Sequence, residues 1–232
     1  MLMLAQNKCA RHLDSHSNFD RCILQAISCE GNTSFIVKHN GQDCPLYCSD
    51  SWIVVQSRHH CVQSFNQNWT EYKSGFGTLE TDYWMGLDVL ASLMKYGSYE
   101  ALIKMTDANG EYEARYSTFH VGNESTNFLL SVGGFNGTTG LFNSFELHNK
   151  LFSTPDRRHD TRAAHLEACA SLYKSGFWFG GCGPANINGP CPNQPEYDIS
   201  QPTRPIAMRW QPPTYGSVSL LKTSELKIRP AK

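Results

Sequence analysis

The sequence has little charge, and the charge it has is balanced. Of its 232 residues only 18% are Asp, Glu, Lys or Arg; 20 basic side chains face 21 acidic ones, the net charge is −1, and no basic block stands out. That excludes the usual footprint of a protein that binds a nucleic-acid backbone or an anionic membrane surface. No run approaches the roughly 18 apolar residues of a membrane-spanning helix. The opening Met-Leu-Met-Leu-Ala-Gln-Asn-Lys is too short for the apolar core of a signal peptide. Gly180, Gly181 and Gly183 lack the Gly-Lys-Ser/Thr continuation that would make a phosphate loop. No internal repeat is visible either.

Cysteine, by contrast, is plentiful. There are nine, with four Asn-x-Ser/Thr sequons beginning at Asn32, Asn68, Asn123 and Asn136. Together they point to an oxidising, secretory route and to disulfides rather than free thiols. A secreted chain that opens as this one does is expected to be a fragment or an incomplete gene model. An odd cysteine count leaves one thiol free or shared between chains. Cys9, in the polar stretch 1–21 that reads as a linker or tail, is the candidate for an interchain bridge. With 40% hydrophobic residues, the chain is long enough to bury a large core without metal or crosslinks.

Along the chain, Phe35-Ile36-Val37 and Trp52-Ile53-Val54-Val55-Gln56 read as strands separated by a hairpin-type Asn40-Gly41 turn. Asn68–Lys73 reads as a short helix stopped by Gly75, and Asp88 as the cap of a helix over Val89–Lys95. Tyr99–Met105, Tyr112–Phe119 and Asn127–Val132 are strands, the first pair turned by Asn109-Gly110. Gly133-Gly134-Phe135-Asn136-Gly137 breaks the pattern. After it the chain is mostly loop, crowded with proline, until two last strands at Ser217–Lys222 and Glu225–Ile228. The fold class is α+β, antiparallel, with an irregular C-terminal portion.

The stretch from Cys169 to Gly189 carries the densest chemistry. Cys169 and Cys182 enclose Phe177-Trp178-Phe179 among Gly176, Gly180, Gly181 and Gly183. This is a poor helix and a good crosslinked loop. Its aromatics either face a ligand or pack beneath the loop. A zinc site drawn from Cys44, Cys48, His59, His60 and Cys61 has irregular spacing, and disulfides fit these cysteines better. His165 and Cys169 stand i,i+4, but no orienting group or oxyanion donor accompanies them. His120 and His148 stand singly. In Asp156-Arg157-Arg158-His159-Asp160 alternate acidic positions could cradle calcium. Arg158 between them would repel the ion, which favours a solvated loop.

Several motifs, in order, are similar to the fibrinogen C-terminal domain family. They are Tyr72-Lys73-Ser74-Gly75-Phe76-Gly77, Asp82-Tyr83-Trp84-Met85-Gly86-Leu87-Asp88 and Leu130-Ser131-Val132-Gly133-Gly134-Phe135-Asn136-Gly137-Thr138. Phe152-Ser153-Thr154-Pro155-Asp156, Asn186-Ile187-Asn188-Gly189 and Lys227-Ile228-Arg229-Pro230 extend the match. The resemblance covers residues 22–230 as one domain. It implies a small disulfide-linked N-terminal subdomain, a central antiparallel sheet with short helices that takes in the C-terminal strand, and a loop-rich C-terminal ligand and calcium subdomain.

It also implies Cys22–Cys48 and Cys169–Cys182 disulfides; Cys29–Cys44 is our added expectation for a bridge particular to this chain. The family's calcium loop reads Asp-x-Asp, and here Asp156 and Asp160 flank Arg158, so no cofactor is expected. In the family's lectins an acetyl pocket uses a tyrosine and a histidine that follows the second cysteine. Tyr173 stands at the first place and Gly183 at the second. A Tyr-Ala pair before Trp210 is missing, Tyr197 being the nearest tyrosine, and the glycine triplet after Cys48 is replaced by Ser49-Asp50-Ser51. A small ligand is therefore expected beside the loop, against Tyr173, Phe177, Trp178, Phe179, Cys182 and Gly183.

The resemblance implies a secreted, non-enzymatic module. The leading expectation is a lectin of innate-immune type whose acetyl-sugar site is weakened. The alternative is a receptor- or matrix-binding module in the angiopoietin or tenascin manner. A structural domain without a small ligand is the third. The expected partners are thus glycans or a cell-surface or matrix protein.

Overall fold

The computed structural model describes residues 29, 31–39, 42–138, 141, 143–145, 149–201, 205–210 and 219–231. The strands β1 (Thr33–His39), β2 (Gln42–Ser49) and β3 (Trp52–Arg58) open the chain, followed by the helix α1 (Trp69–Ser74). Next come β4 (Phe76–Gly77), β5 (Asp82–Trp84), the helix α2 (Leu87–Leu93), β6 (Tyr99–Thr106), β7 (Glu111–Val121) and β8 (Leu130–Gly137). The helical turn α3 (Cys169–Leu172), β9 (Arg209–Trp210), β10 (Ser219–Leu220) and β11 (Thr223–Pro230) complete the order.

Nine of the described strands form one antiparallel sheet. Its main path runs β1-β2-β3-β11-β6-β7-β8, with β5 beside β3 and β4 beside β5. The C-terminal strand thus enters the centre, pairing Leu226 with Ile103 on one side and Gln56 on the other. On β6 the residues Tyr99, Ala101, Ile103 and Met105 alternate into the core, as a strand with one covered face requires. α2 lays Val89, Leu90 and Leu93 into the same core, which holds Trp84, Tyr72, Phe152 and Trp178 in mutual contact.

α1 begins as expected: the Asn68 side chain accepts from the Glu71 amide, and Gly75, at φ 96°, ends it. Asp88 is not a cap. Gly86 holds that place and Asp88 lies in the first turn of α2, where a carboxylate still suits the helix dipole. Nor does the glycine run at 133–137 end a strand, since β8 continues through it. Gly134 takes φ +67°, and a Cβ there would fall 1.8 Å from the Ser117 hydroxyl, so this glycine permits close approach rather than a break.

The disulfides are Cys29–Cys48, Cys61–Cys191 and Cys169–Cys182. Cys48 is therefore joined to Cys29, not to Cys22, which lies outside the described residues, as do Cys9 and the Asn40-Gly41 turn. The register decides it: Thr33 sits opposite Cys48, which brings the residues just before β1 beside that cysteine. Cys44 pairs with Val37 farther along the hairpin, about 13 Å from Cys48 at strand rise, too far to share Cys29. Between β2 and β3, Asp50 and Ser51 take φ 52° and 65°. These are left-handed positions that favour glycine, here supported by a bond from the Asp50 amide to the Asn32 side chain.

Candidate functional site

The loop from Cys169 to Gly189 turns its aromatics inward. Tyr173 is 2% exposed, and Phe177, Trp178 and Phe179 no more than 1%. Main-chain bonds in both directions tie Phe177 to Ser153, and the Trp178 indole donates to the Phe128 carbonyl. The triplet's rings meet Phe145, Phe152 and Tyr173. Expecting these rings to form a ligand-contacting surface is corrected accordingly: their faces are spent on the core. Cys182 and Gly183 keep partial exposure.

Behind the loop, Asn186-Ile187-Asn188-Gly189 is a polar clamp. Asn188 donates to the Gly176 carbonyl, Asn186 to Ser175, and Gln56 to the Ile187 carbonyl. Gly189 passes so close to Ala207 that a Cβ would lie 2.1 Å from its carbonyl oxygen.

One side chain absent from the expected site lies directly against Tyr173. Arg209, 3% exposed, lays its guanidinium 3.8 Å from the centre of the Tyr173 ring. It donates to the carbonyls of Pro205, Gly183 and Cys182. Burial lowers its pKa, opposed by Tyr173. Paired main-chain bonds between Arg209 and Asn186 fix its strand against the clamp. The one charged residue in Ile206-Ala207-Met208-Arg209-Trp210 was the signal available in the sequence.

A second arginine occupies the acidic loop. Arg158 donates to the carbonyls of Arg162, Ala163, Ala164 and Leu166, and its Nη2 lies 3.1 Å from the Asp160 carboxylate. The Asp160 side chain is fully buried and also accepts from the Arg162 and Cys169 amides. Asp156 turns away, its Oδ1 taking the Trp69 amide of α1 and the Thr154 hydroxyl. The carbonyls and carboxylate that would ligate a hard cation thus surround a fixed guanidinium, and the residues present do not fit calcium.

Among the described residues no group of three or more His, Cys, Asp and Glu side chains is placed to hold a metal ion. The zinc reading fails because Cys48 and Cys61 are in disulfides, and the His165/Cys169 pair fails because Cys169 is bonded to Cys182.

Among the described residues one cleft, of about 270 Å³, is lined by Arg162, Leu172, Asp198, Gln201 and Ile206. Ile199, beside Asp198 in the chain, and Leu166 are exposed apolar residues of the same C-terminal portion. Among the described residues no helix is long and apolar enough to cross a membrane.

Comparison with known proteins agrees with this architecture. The family model for the C-terminal globular domain of fibrinogen beta and gamma chains matches residues 26–231. Human angiopoietin-4 is 33% identical over 192 residues, 81% of this chain and 36% of the relative. Chicken (Gallus gallus) tenascin-R is 33% identical over 187 residues, 78% of this chain and 13% of the relative. The chain therefore spans about a third or less of the length of these relatives. The solved fibrinogen-like globe domain of human ANGPTL2 superimposes with a TM-score of 0.77 at 29% identity, covering 91% of this chain and 99% of that one.

Proposed function

The chain belongs to the fibrinogen C-terminal globular-domain family, and from that premise we propose that it is an extracellular, non-enzymatic recognition module whose ligand is a protein. The partner is a receptor or matrix component, bound without calcium through the cleft at Arg162, Leu172, Asp198, Gln201 and Ile206. The observation that carries this reading is Arg209. Its guanidinium covers Tyr173 and donates to the Cys182 and Gly183 carbonyls, which supports a reading in which the face expected to meet an acetyl sugar is occupied by the chain itself. The similarity to angiopoietin-4 and tenascin-R supports the same class, and the three disulfides support an oxidising, extracellular compartment.

Titration with N-acetylglucosamine, followed by NMR, tests the reading on wild type and on Arg209→Ala. Wild type is expected to show no shifts up to tens of millimolar sugar. The variant opens the face of Tyr173 and is expected to bind weakly. Saturable binding by wild type that Tyr173→Ala abolishes would return the lectin reading to first place.

A further inference from the structure

All four sequon asparagines are exposed, and two of them stand on or beside the strands that end the main path of the sheet. Asn32 immediately precedes β1 and Asn136 lies within β8. Each of these strands has one neighbour among the described strands, β2 and β7 respectively. A sheet edge offers unpaired N–H and C=O groups to any second copy, and proteins blunt such edges with charge, proline or bulk. Neither β1 nor the Gly133–Gly137 half of β8 contains proline; β1 carries the single lysine Lys38, that half of β8 carries no charged residue, and Ile36 on β1 is 56% exposed.

Asn136 also faces the right way. The positive φ of Gly134 resets the alternation, so Phe135 packs on Tyr116 and Asn136 projects outward. Asn32 uses its Oδ1 to accept the Asp50 amide, 2.9 Å away. A substituent on Nδ2 leaves that bond intact.

We propose that Asn32 and Asn136 carry N-linked glycans and that these are the bulk which guards the two edges. The donor is a lipid diphosphate-linked oligosaccharide of the secretory pathway. Nδ2 loses a proton and bonds to the anomeric carbon, while the carbon–oxygen bond to the diphosphate breaks and the diphosphate leaves with its electron pair. None of the four sequon asparagines lines the C-terminal cleft, and the inference does not depend on what binds there.

The test uses the protein secreted from a glycosylating eukaryotic host. Peptide-N-glycosidase treatment in heavy-oxygen water converts each occupied asparagine to a mass-tagged aspartate, read by peptide mass spectrometry. Tags at both Asn32 and Asn136 are expected; an untagged asparagine at either site overturns the proposal.

Light scattering then compares three samples at matched concentration: the native protein, the native protein deglycosylated after folding by an endoglycosidase that leaves one N-acetylglucosamine on each asparagine and adds no charge, and the Ser34→Ala/Asn136→Gln variant. Ser34→Ala removes the first sequon while keeping Asn32 and its bond. Both samples that lack the two edge glycans are expected to show a weight-average mass that rises with concentration above that of the native protein. The Ser34→Thr/Thr138→Ser variant, which keeps both sequons, is expected to match native protein. Deglycosylated native protein whose mass does not rise would overturn the edge-guarding role, and this arm holds even if the double variant fails to fold.

Discussion

Replacing Arg158 by aspartate exchanges a built-in cation for the acidic spacing that binds a free one. The Arg158–Asp160 separation is 3.1 Å, which at an effective dielectric near 20 corresponds to a gross attraction of about 5 kcal/mol. Removing one partner of a buried pair typically costs about 3–5 kcal/mol. Arg158 keeps 29% of its side chain exposed, so about 3 kcal/mol is the better figure here.

At about 2–4 °C per kcal/mol for a domain of this size, Arg158→Asp in chelator should melt roughly 6–12 °C below wild type. The variant then offers Asp160, residue 158 and the Arg162 and Ala163 carbonyls to calcium. With 10 mM calcium and an extracellular-type Kd of about 10⁻⁴–10⁻³ M, binding should restore about 1.4–2.7 kcal/mol. Differential scanning calorimetry of both proteins, with calcium and with chelator, reads this directly. Wild type should be indifferent. A wild-type Tm that rises with calcium, or a variant that ignores it, would refute the idea that the guanidinium takes the ion's place.

Two further outcomes concern stability. Asp82 accepts the amides of His59, His60, Cys61, Val62 and Gln63. Burial works to raise its pKa, but the amides of Gln63 and Cys61 and the charge of Arg58 outweigh it and hold the carboxyl below its ordinary value. A depressed folded-state pKa adds stability that is full above the unfolded value, near 4, and is lost as pH falls through the folded one. Asp82→Asn should therefore lower the Tm at neutral pH and flatten its decline below about pH 4; an unchanged acid limb would contradict this. Removing Cys61–Cys191 by a double serine variant reopens a loop of sequence separation 130, which by chain entropy costs about 4–5 kcal/mol. A loss under about 1 kcal/mol in a urea titration would contradict that.

What the sequence disclosed followed local physics. The alternation on β6 and β7 and the Asn109-Gly110 turn are short-range signals, and the turn is locked by the Asp107 side chain accepting both following amides. β2 was not legible because Pro45 argues against a central strand; it is tolerated because only Cys48 and Ser49 of β2 pair with β3. The Cys48 bridge depends on the register of β1, which no residue near Cys22 encodes.

The aromatic triplet admitted two readings because local pattern cannot say whether Trp84 and Phe152 arrive over the loop. Both do. Arg158 was legible as a charge out of place, though not as one ringed by carbonyls. Arg209 was legible only as a charge in an apolar run; its place beside Gly183 and Tyr173 was not, since such a charge has no partner until the fold supplies one.

The central claim, a protein ligand taken by the C-terminal cleft, is tested most directly by binding of the fluorescent module to a panel of cells and matrix-coated surfaces. Each surface is used intact, after protease treatment and after glycosidase treatment, with N-acetylglucosamine as competitor. The account predicts binding that survives glycosidase, sugar and chelator, vanishes after protease, and falls at least tenfold in Ile206→Asp. Binding that N-acetylglucosamine competes away, or that Ile206→Asp leaves unchanged, would contradict it.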